Sequence, residues 1–461
     1  MSTGARIALS NILDVVRWKD APSDTLEIAG GPHVLASPMP VADLASAAIG
    51  AVGLAVAELW RLRTGRQQTI GLDFTAAGLA MASGQYLLLD GRKARDWDPI
   101  TGYYPTKDGR WLYLHANFPH LRDGLLEILG VPADPDTVET ALTKWTADDF
   151  EAAAVARGLC AVKMRSRQEW HREPHSAAID SLPLIEITRI GDAPPQPFGE
   201  GARPLSGIRV LDLTRVIAGP MAGRTLAEHG ATVMRIAGPH LPFIDALVMD
   251  TGFGKLSAHI DLRDKAGQAQ LTTLTRDADV FVNAYRPGSI AARGFGPEAL
   301  ARLRPGIVSA SLSAFSRAGP WSMRRGYDSV VQAAVGLSPF DRSGKPCKPP
   351  FQALDYITGY LTAFGIMMAL KRRAEVGGSW HVELSLARTA HWLQRMVDVL
   401  GLLPEAPEAN PALDAIAPYV AETQSSFGLL RHLTPALILS ETPGRFWRPP
   451  VPLGSDPAVW P

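Results

Sequence analysis

The chain has 461 residues, 46% of them hydrophobic and 20% charged, a globular composition with room for two or more domains and unlike that of a disordered protein. Lys and Arg number 46 against 46 Asp and Glu, so no overall charge directs the chain to nucleic acid or an acidic membrane surface. Two cysteines, Cys160 and Cys347, are too few for a disulfide framework or a cysteine-rich metal site.

Met1 to Arg6 lead into no long apolar run, so no signal peptide is expected. Residues 1–40 read as irregular, with turn signals at Pro22-Ser23-Asp24 and Gly30-Gly31-Pro32. A helix follows from about Ala42 to Leu62. The apolar run from Val41 to Trp60 contains Asp43 and Glu58, and reads as a buried helix rather than a membrane span. A strand over Thr69–Phe74 and a second small-residue helix through Gln85 come next. Composition shifts at Asp96-Trp97-Asp98-Pro99. Tyr103–Leu114 then reads as a hairpin turning at Lys107-Asp108-Gly109, and a helix over Pro119–Leu129 closes a small α+β module. Helices near Ala147–Arg157 and Arg167–His171, a strand at Pro183–Ile187 and an extended linker at Pro194–Gly199 lead out of it.

From residue 204 the pattern becomes strand and helix in alternation. Strands are expected at Ile208–Leu213, Ala231–Ile236, Ala278–Asn283 and Ile307–Leu312, with helices at Gly219–Gly230, Lys265–Arg276 and Pro297–Leu303. That alternation predicts an α/β fold with a doubly wound parallel, Rossmann-like sheet, joined to the small α+β domain. The expected divisions are 1–95, a partial first unit; 96–160, the small domain; 161–203, a return segment and linker; 204–404, the large domain; and 405–461, a tail packing back on it.

The chain also repeats part of itself. Asp43–Leu72 aligns without a gap to Asp355–Leu384, pairing Asp43 with Asp355, Gly53 with Gly365, Arg61 with Arg373 and Gly65 with Gly377. Pro194–Gly199 likewise matches Pro449–Gly454. The first copy lacks room for the parallel sheet and the second lacks the small module. The expectation is a partial internal duplication, two incomplete copies that together rebuild about one unit plus a second helix.

Asp355 lies in Pro349–Gly359, between an apolar loop and a helix marked by Leu361, Phe364, Gly365, Met368 and Ala369. It therefore falls in or beside a first turn, where unpaired N–H groups and the helix dipole favour an anion. By position alone it reads as a cap or as a reactive carboxylate.

Residues 204 to about 390 resemble the family III coenzyme A transferases, the superfamily that includes formyl-CoA transferase, carnitine CoA-transferase and α-methylacyl-CoA racemase. The resemblance rests on Arg203–Pro220, Lys255–Arg263, Ala278–Gly288, and Gly319-Pro320 followed by Gly326-Tyr327-Asp328. The first copy and the tail resemble the family's remaining parts. The likeness implies that Asp355 is the nucleophile. It implies CoA transfer from an acyl-CoA to a carboxylic acid through an aspartyl anhydride and an aspartyl-CoA thioester. It further implies that Arg215, Ile217, Ala218, Arg235, Arg263, Tyr285, Arg325 and Asp328 contact CoA or line its pocket. Asp328 is equally suited to cap the helix that follows it. Oxyanion donors are expected at the Gly219-Pro220 turn and at the helix start of Asp355. No resident cofactor and no metal are expected, the acyl-CoA thioester being a substrate. The other expectations are a carboxylate co-substrate, no nucleic-acid or membrane partner, a cytoplasmic location and a homodimer, interlocked in the manner of the family.

Two departures bear on this. Ala237-Gly238-Pro239-His240 stands where the family often has an acid, and Asp43, lacking a sheet before it, reads as a structural remnant. A racemase would place a histidine where Tyr327 stands, and tyrosine is a poor base at neutral pH. A nicotinamide dehydrogenase would need G-x-G-x-x-G after the first strand, which Gly219–Gly223 does not supply. A non-catalytic acyl-CoA-binding subunit is the remaining alternative. His115 and His120 are not at metal-ligand spacing on one helix face and are expected to be satisfied surface histidines.

Overall fold

The computed structural model describes residues 2–94 and 97–461. Arg95 and Asp96, where the first domain division is expected, lie outside the described residues.

Residues 1–40 contain more structure than their turn signals suggest. Helix α1 spans Thr3–Val15, capped by the Ser2 hydroxyl, which accepts the N–H groups of Gly4 and Ala5. Its buried face, Ala5, Ala8, Leu9, Ile12 and Leu13, has helical spacing, and it packs along α2, Val41–Thr64. Between them lies strand β1, Leu26–Ala29. Strand β2 is Ile70–Asp73, parallel to β1. The helix expected through Gln85 breaks at Met81-Ala82 into α3, Phe74–Ala80, and α4, Ser83–Tyr86.

Two short strands follow, β3 at Leu88–Leu89 and β4 at Arg92–Lys93. The expected hairpin is β5, Gly102–Pro105, and β6, Trp111–Leu114, with Gly109 at φ 68° in its turn. Helices α5 (Pro119–Leu129), α6 (Pro135–Leu142) and α7 (Ala147–Ala156) pack on it, and β7, Ala161–Lys163, adds a third strand. Helices α8, Arg167–Arg172, and α9, Pro174–Asp180, lead to β8 at Glu186–Gly191, later than the strand read from Pro183–Ile187.

The large domain runs β9 (Arg209–Leu213), α10 (Ala218–Glu228), β10 (Thr232–Ala237), α11 (Asp245–Thr251), β11 (Lys255–His259), α12 (Lys265–Arg276), β12 (Val280–Asn283), α13 (Pro297–Leu303), β13 (Val308–Ser313), α14 (Asp328–Val335), α15 (Ala353–Val376), β14 (Ser379–Ser385) and α16 (Leu386–Leu400). Its seven-stranded sheet has the order β11-β10-β9-β12-β13-β14-β8. Every pairing is parallel except β8 on β14. The strands are apolar and buried because helices cover both faces. The chain winds outward from β9 in one direction and returns to wind outward from β12 in the other. The boundary between β9 and β12 is thus a topological switch point, and the crevice beyond the strands' C-terminal ends is where such sheets bind ligands.

The tail adds β15 (Val420–Gln424), β16 (Leu429–Leu433) and β17 (Leu437–Leu439). It packs on both parts of the chain. β17 runs antiparallel to β2, while the Gly454 N–H donates to Ser257 Oγ at 3.2 Å in the large domain. The order β1-β2-β17, parallel then antiparallel, matches β13-β14-β8. In both cases a 24-residue helix precedes the middle strand. Both helices are long and apolar enough to cross a membrane, yet the most apolar window of α2 is wholly buried in the fold and that of α15 94% buried.

Candidate active site

Asp355 is the third residue of α15, after Ala353 and Leu354, so its N–H is one of the four that a helix leaves unpaired. That N–H donates to Asp328 Oδ2 at 2.9 Å, and Gln332 Nε2 donates to the other oxygen of Asp328. Asp328, buried at the start of α14, therefore caps the neighbouring helix; the N-cap of its own helix is Tyr327. Because it spends its carboxylate inward, Asp328 does not line the cleft described next. The N–H of Asp355 is likewise committed and is no oxyanion donor.

Asp355 is 6% exposed and opens onto a cleft of about 670 Å³. The cleft lies at the switch point, walled at the end of β9 by Leu213, Arg215, Val216, Ala218 and Gly219, after β12 by residues from Ala284 to Ser289, and at the end of β13 by Leu312, Ser313 and Ala314. Six of the sequence-derived residues meet there: Arg215, Ala218, Gly219, Tyr285, Arg325 and Asp355. Arg286, Arg324, His120 and His240 share the wall, and Asp355 is the one acid among the described lining residues.

The turn from β9 to α10 is tightly built. A Cβ on Gly219 would meet Thr214 Cβ at 2.4 Å, so only glycine fits. Val216 holds φ 72°, unfavourable for a β-branched residue, at the cleft wall. Below it the buried Asp212 accepts Lys255 Nζ at 2.7 Å and the Thr214 N–H at 3.1 Å. Gly359 lets α15 approach α10, since a Cβ there would meet the Ala218 carbonyl oxygen at 2.7 Å. The first-turn N–H groups of Ala218 and Gly219 face no acceptor among the described hydrogen bonds.

The small domain covers the cleft from above. Tyr327 stacks on His115 at 4.1 Å and on Phe118 at 5.7 Å, and the Arg215 guanidinium lies over Phe118 at 5.6 Å. His115 is thus buried rather than on the surface, and His120 sits on the cleft wall, where its Nε2 accepts Arg325 Nη1 at 2.9 Å. No local signal foretells a pairing across 205 positions. Arg286 did carry a signal, being next to Tyr285 in the third motif. Burial pushes the Tyr327 phenol well above its ordinary range, so it remains protonated at neutral pH.

Four sequence-derived residues lie off the cleft. The Ile217 side chain is buried at the N-cap of α10. Arg235 lies behind the wall in an adjoining cavity of about 50 Å³, which shares Arg215, Val216, Leu241 and Tyr285 with the cleft, and donates to Thr251 Oγ1 at 2.7 Å. Arg263 is exposed and closes on Asp261, two residues away, at 2.6 Å. Asp328 is the fourth. Among the described residues no group of His, Cys, Asp and Glu is arranged to hold a metal.

The model of the family described as CoA-transferase family III matches residues 25–188 and 205–419. The acetyl-coenzyme A transferase nodX of Hypoxylon pulicicidum is 31% identical over 326 residues, covering 65% of this chain and 55% of that protein. An acyl-CoA transferase of Gibberella moniliformis is 31% identical over 389 residues, covering 74% and 68%. The succinyl-CoA:glutarate CoA-transferase of Mus musculus is 30% identical over 243 residues, covering 49% and 56%. The chain thus spans between 55% and 68% of the length of these relatives. A crystal structure of Rv3272 from Mycobacterium tuberculosis matches with 31% identity and a TM-score of 0.40, covering 44% of this chain and 60% of that one.

Proposed function

The chain belongs to CoA-transferase family III, and on that premise we propose that it moves coenzyme A from an acyl-CoA to a carboxylic acid with the Asp355 carboxylate as nucleophile. The observation that carries this reading is that Asp355 is the single acid among the described lining residues, set among four arginines at the switch-point crevice. Arginines suit the phosphates of CoA because their planar forks give charge-assisted hydrogen bonds.

Asp355 attacks the thioester carbon and the C–S bond breaks, giving a mixed anhydride and CoA thiolate. The thiolate attacks the aspartyl carbon, releasing the donor's acid and leaving an aspartyl-CoA thioester. The acceptor carboxylate then displaces the thiolate to form a second anhydride. The thiolate finally takes the acceptor acyl group and restores Asp355. No step consumes a proton, so no general base is required. Each tetrahedral intermediate carries an oxyanion, for which the Ala218 and Gly219 N–H groups at the start of α10 are our candidate donors. Tyr327, Phe118 and His115 roof the site and shield the anhydrides from water. A protonated, half-buried Tyr327 argues against an α-proton abstraction at that position.

We further infer that the chain is two incomplete copies, supported by the matched β1-β2-β17 and β13-β14-β8 arrangements. A cytoplasmic location and a homodimer complete the reading, the dimer resting on the family resemblance. The small domain covers the cleft of its own chain, so the proposed dimer need not supply that face. Size-exclusion light scattering giving twice the chain mass supports the dimer, and a monomer would remove it.

The test is mass spectrometry of the protein mixed with acetyl-, succinyl- and hexanoyl-CoA, with and without hydroxylamine. An adduct or hydroxamate at Asp355, absent in Asp355→Ala, supports the mechanism. No adduct with any donor would overturn it in favour of a non-catalytic subunit.

A further inference from the structure

A second cavity, of about 240 Å³, shares no described lining residue with the cleft. It forms where α14, α16 and the loop before α15 meet the segment that leads into α2. Met39, Leu337, Phe351 and Val397 give it an apolar wall. Leu402 lines it while 59% exposed, which marks its mouth. Ligand sites have this composition, an apolar lining with a few placed polar groups. An apolar cavity of about 150 Å³ holds a benzene ring, so this one has room for a ring with small substituents.

The polar groups of the wall say what else the ligand carries. Gln394 is 2% exposed, and its Nε2 donates to the Val335 carbonyl at 2.7 Å. A carbonyl only accepts, so the amide cannot be turned over, and Oε1 is the atom left. That oxygen is buried and meets no donor among the described residues. An unanswered acceptor in an apolar wall costs free energy, which a ligand's O–H or N–H would recover. The other polar side chains of the wall are engaged. Gln332 donates to Asp328, Ser338 Oγ accepts the Tyr103 hydroxyl at 2.8 Å, and Ser37 Oγ accepts the Met39 N–H at 3.1 Å. Arg167 closes on Asp398 through both terminal nitrogens, so no charge is left over and the ligand is neutral. A buried water takes about 2–4 polar partners, and a wall with one free acceptor suits an apolar molecule with a single donor better.

This cavity also borders the support of Asp355. Gln332, on its wall, holds the Asp328 carboxylate that accepts the Asp355 N–H, and Phe351 lies on the chain just before α15. We propose that the cavity is a second ligand site, taking a neutral, mainly apolar molecule of one-ring size with one O–H or N–H donor, and that its occupancy alters the reactivity of Asp355 through Gln332 and Asp328. The coupling rests on the CoA-transfer reading, and the binding does not.

Ligand-observed NMR titrations of the full chain compare p-cresol with p-xylene, in which a methyl group replaces the hydroxyl. The expected result is saturable binding of p-cresol, with a preference over p-xylene that falls about threefold or more in Gln394→Met. Gln394→Met should bind p-xylene at least as well as the wild type, which establishes that the cavity is intact. Val397→Trp fills the cavity and should remove binding of both. Circular dichroism and thermal melts establish that the variants fold. No binding of p-cresol, binding that survives in a folded Val397→Trp, or a preference unchanged in Gln394→Met would overturn the site. Saturating p-cresol should change the rate of aspartyl adduct formation from acetyl-, succinyl- or hexanoyl-CoA by about twofold or more in the wild type and not in Val397→Trp. An unchanged rate at saturation overturns the coupling while CoA transfer and the site stand. If the wild type forms no adduct with any donor, the CoA-transfer reading and the coupling fall together, and the titrations alone decide the site.

Discussion

The backbone N–H of Asp355 is held by the carboxylate of Asp328 at 2.9 Å, so the start of one helix is fixed by the first residue of another. Both groups are buried, and Gln332 holds the second oxygen of Asp328. Removing the acceptor strands a buried donor, which costs about 1–3 kcal/mol. Asp328→Ala should lose that much stability in urea unfolding and at least tenfold in CoA exchange. Asp328→Asn retains an oxygen acceptor and should lose less of both. Full exchange activity in Asp328→Ala would show the link to be idle.

Asp43 provides an internal comparison with Asp355. It too is the third residue of a 24-residue helix and is buried. Its carboxylate, however, accepts the Ser2 hydroxyl and lies 3.5 Å from His33, sealed under α1 rather than opening on the cleft. Asp355→Ala should abolish aspartyl adduct formation, whereas Asp43→Ala should keep it while lowering the melting temperature. Loss of the adduct in a folded Asp43→Ala protein would contradict a purely structural role for Asp43.

Gly359 sets the distance between helix α15, which carries Asp355, and the β9–α10 turn. In Gly359→Ala the new methyl would meet the Ala218 carbonyl oxygen at 2.7 Å and Met221 Cβ at 2.8 Å. Helix α15 has to move outward, at a cost of about 1–3 kcal/mol for overpacking. CoA exchange should fall further than stability does, because Ala218 and Asp355 both line the cleft. Exchange at the wild-type rate would mean that the site tolerates the shift.

Glu228 should govern part of the pH dependence of stability. Burial raises its pKa to about 7, against partial relief from Arg224 and Arg203. A carboxyl whose folded pKa lies above its unfolded value binds its proton more tightly when folded. That stabilisation is complete below the unfolded pKa and is lost as pH rises through about 7. Relative to Glu228→Gln, which does not titrate, the wild type should lose on the order of 3 kcal/mol between pH 4.5 and pH 8. Urea unfolding at the two pH values reads the difference directly, and a constant gap would mean that the Glu228 pKa is the same in the folded and unfolded states.

The strands of the large domain were legible because each is a short apolar run between turn signals, and helix α15 because its small and large apolar residues keep helical spacing. The repeat led to Asp43 and Asp355, which do occupy the same helical position. What stayed hidden depended on distant pairings. Arg325 finds His120 across the small domain, and Asp328 turns to a helix 27 positions on rather than to its own. Arg263 has the right residue type beside the right motif, but Asp261 two residues before it captures the guanidinium. Helix α1 is masked in the sequence by the Pro and Gly turn signals at residues 22–32 that dominate the segment, although its apolar stripe is present.

Strand β2 has its antiparallel neighbour, β17, more than 360 positions later, with Leu72 opposite Leu437. On the ribosome the first sheet has an edge that nothing upstream can cover, and its apolar residues Ile70 and Leu72 must wait for nearly the whole remaining chain. Closure over such a sequence separation is slow, and the open edge is a template for pairing with another chain. The N-terminal unit is therefore the part of this protein most dependent on chaperones during synthesis, and a chain shortened before residue 437 should lose solubility before it loses the large domain's fold.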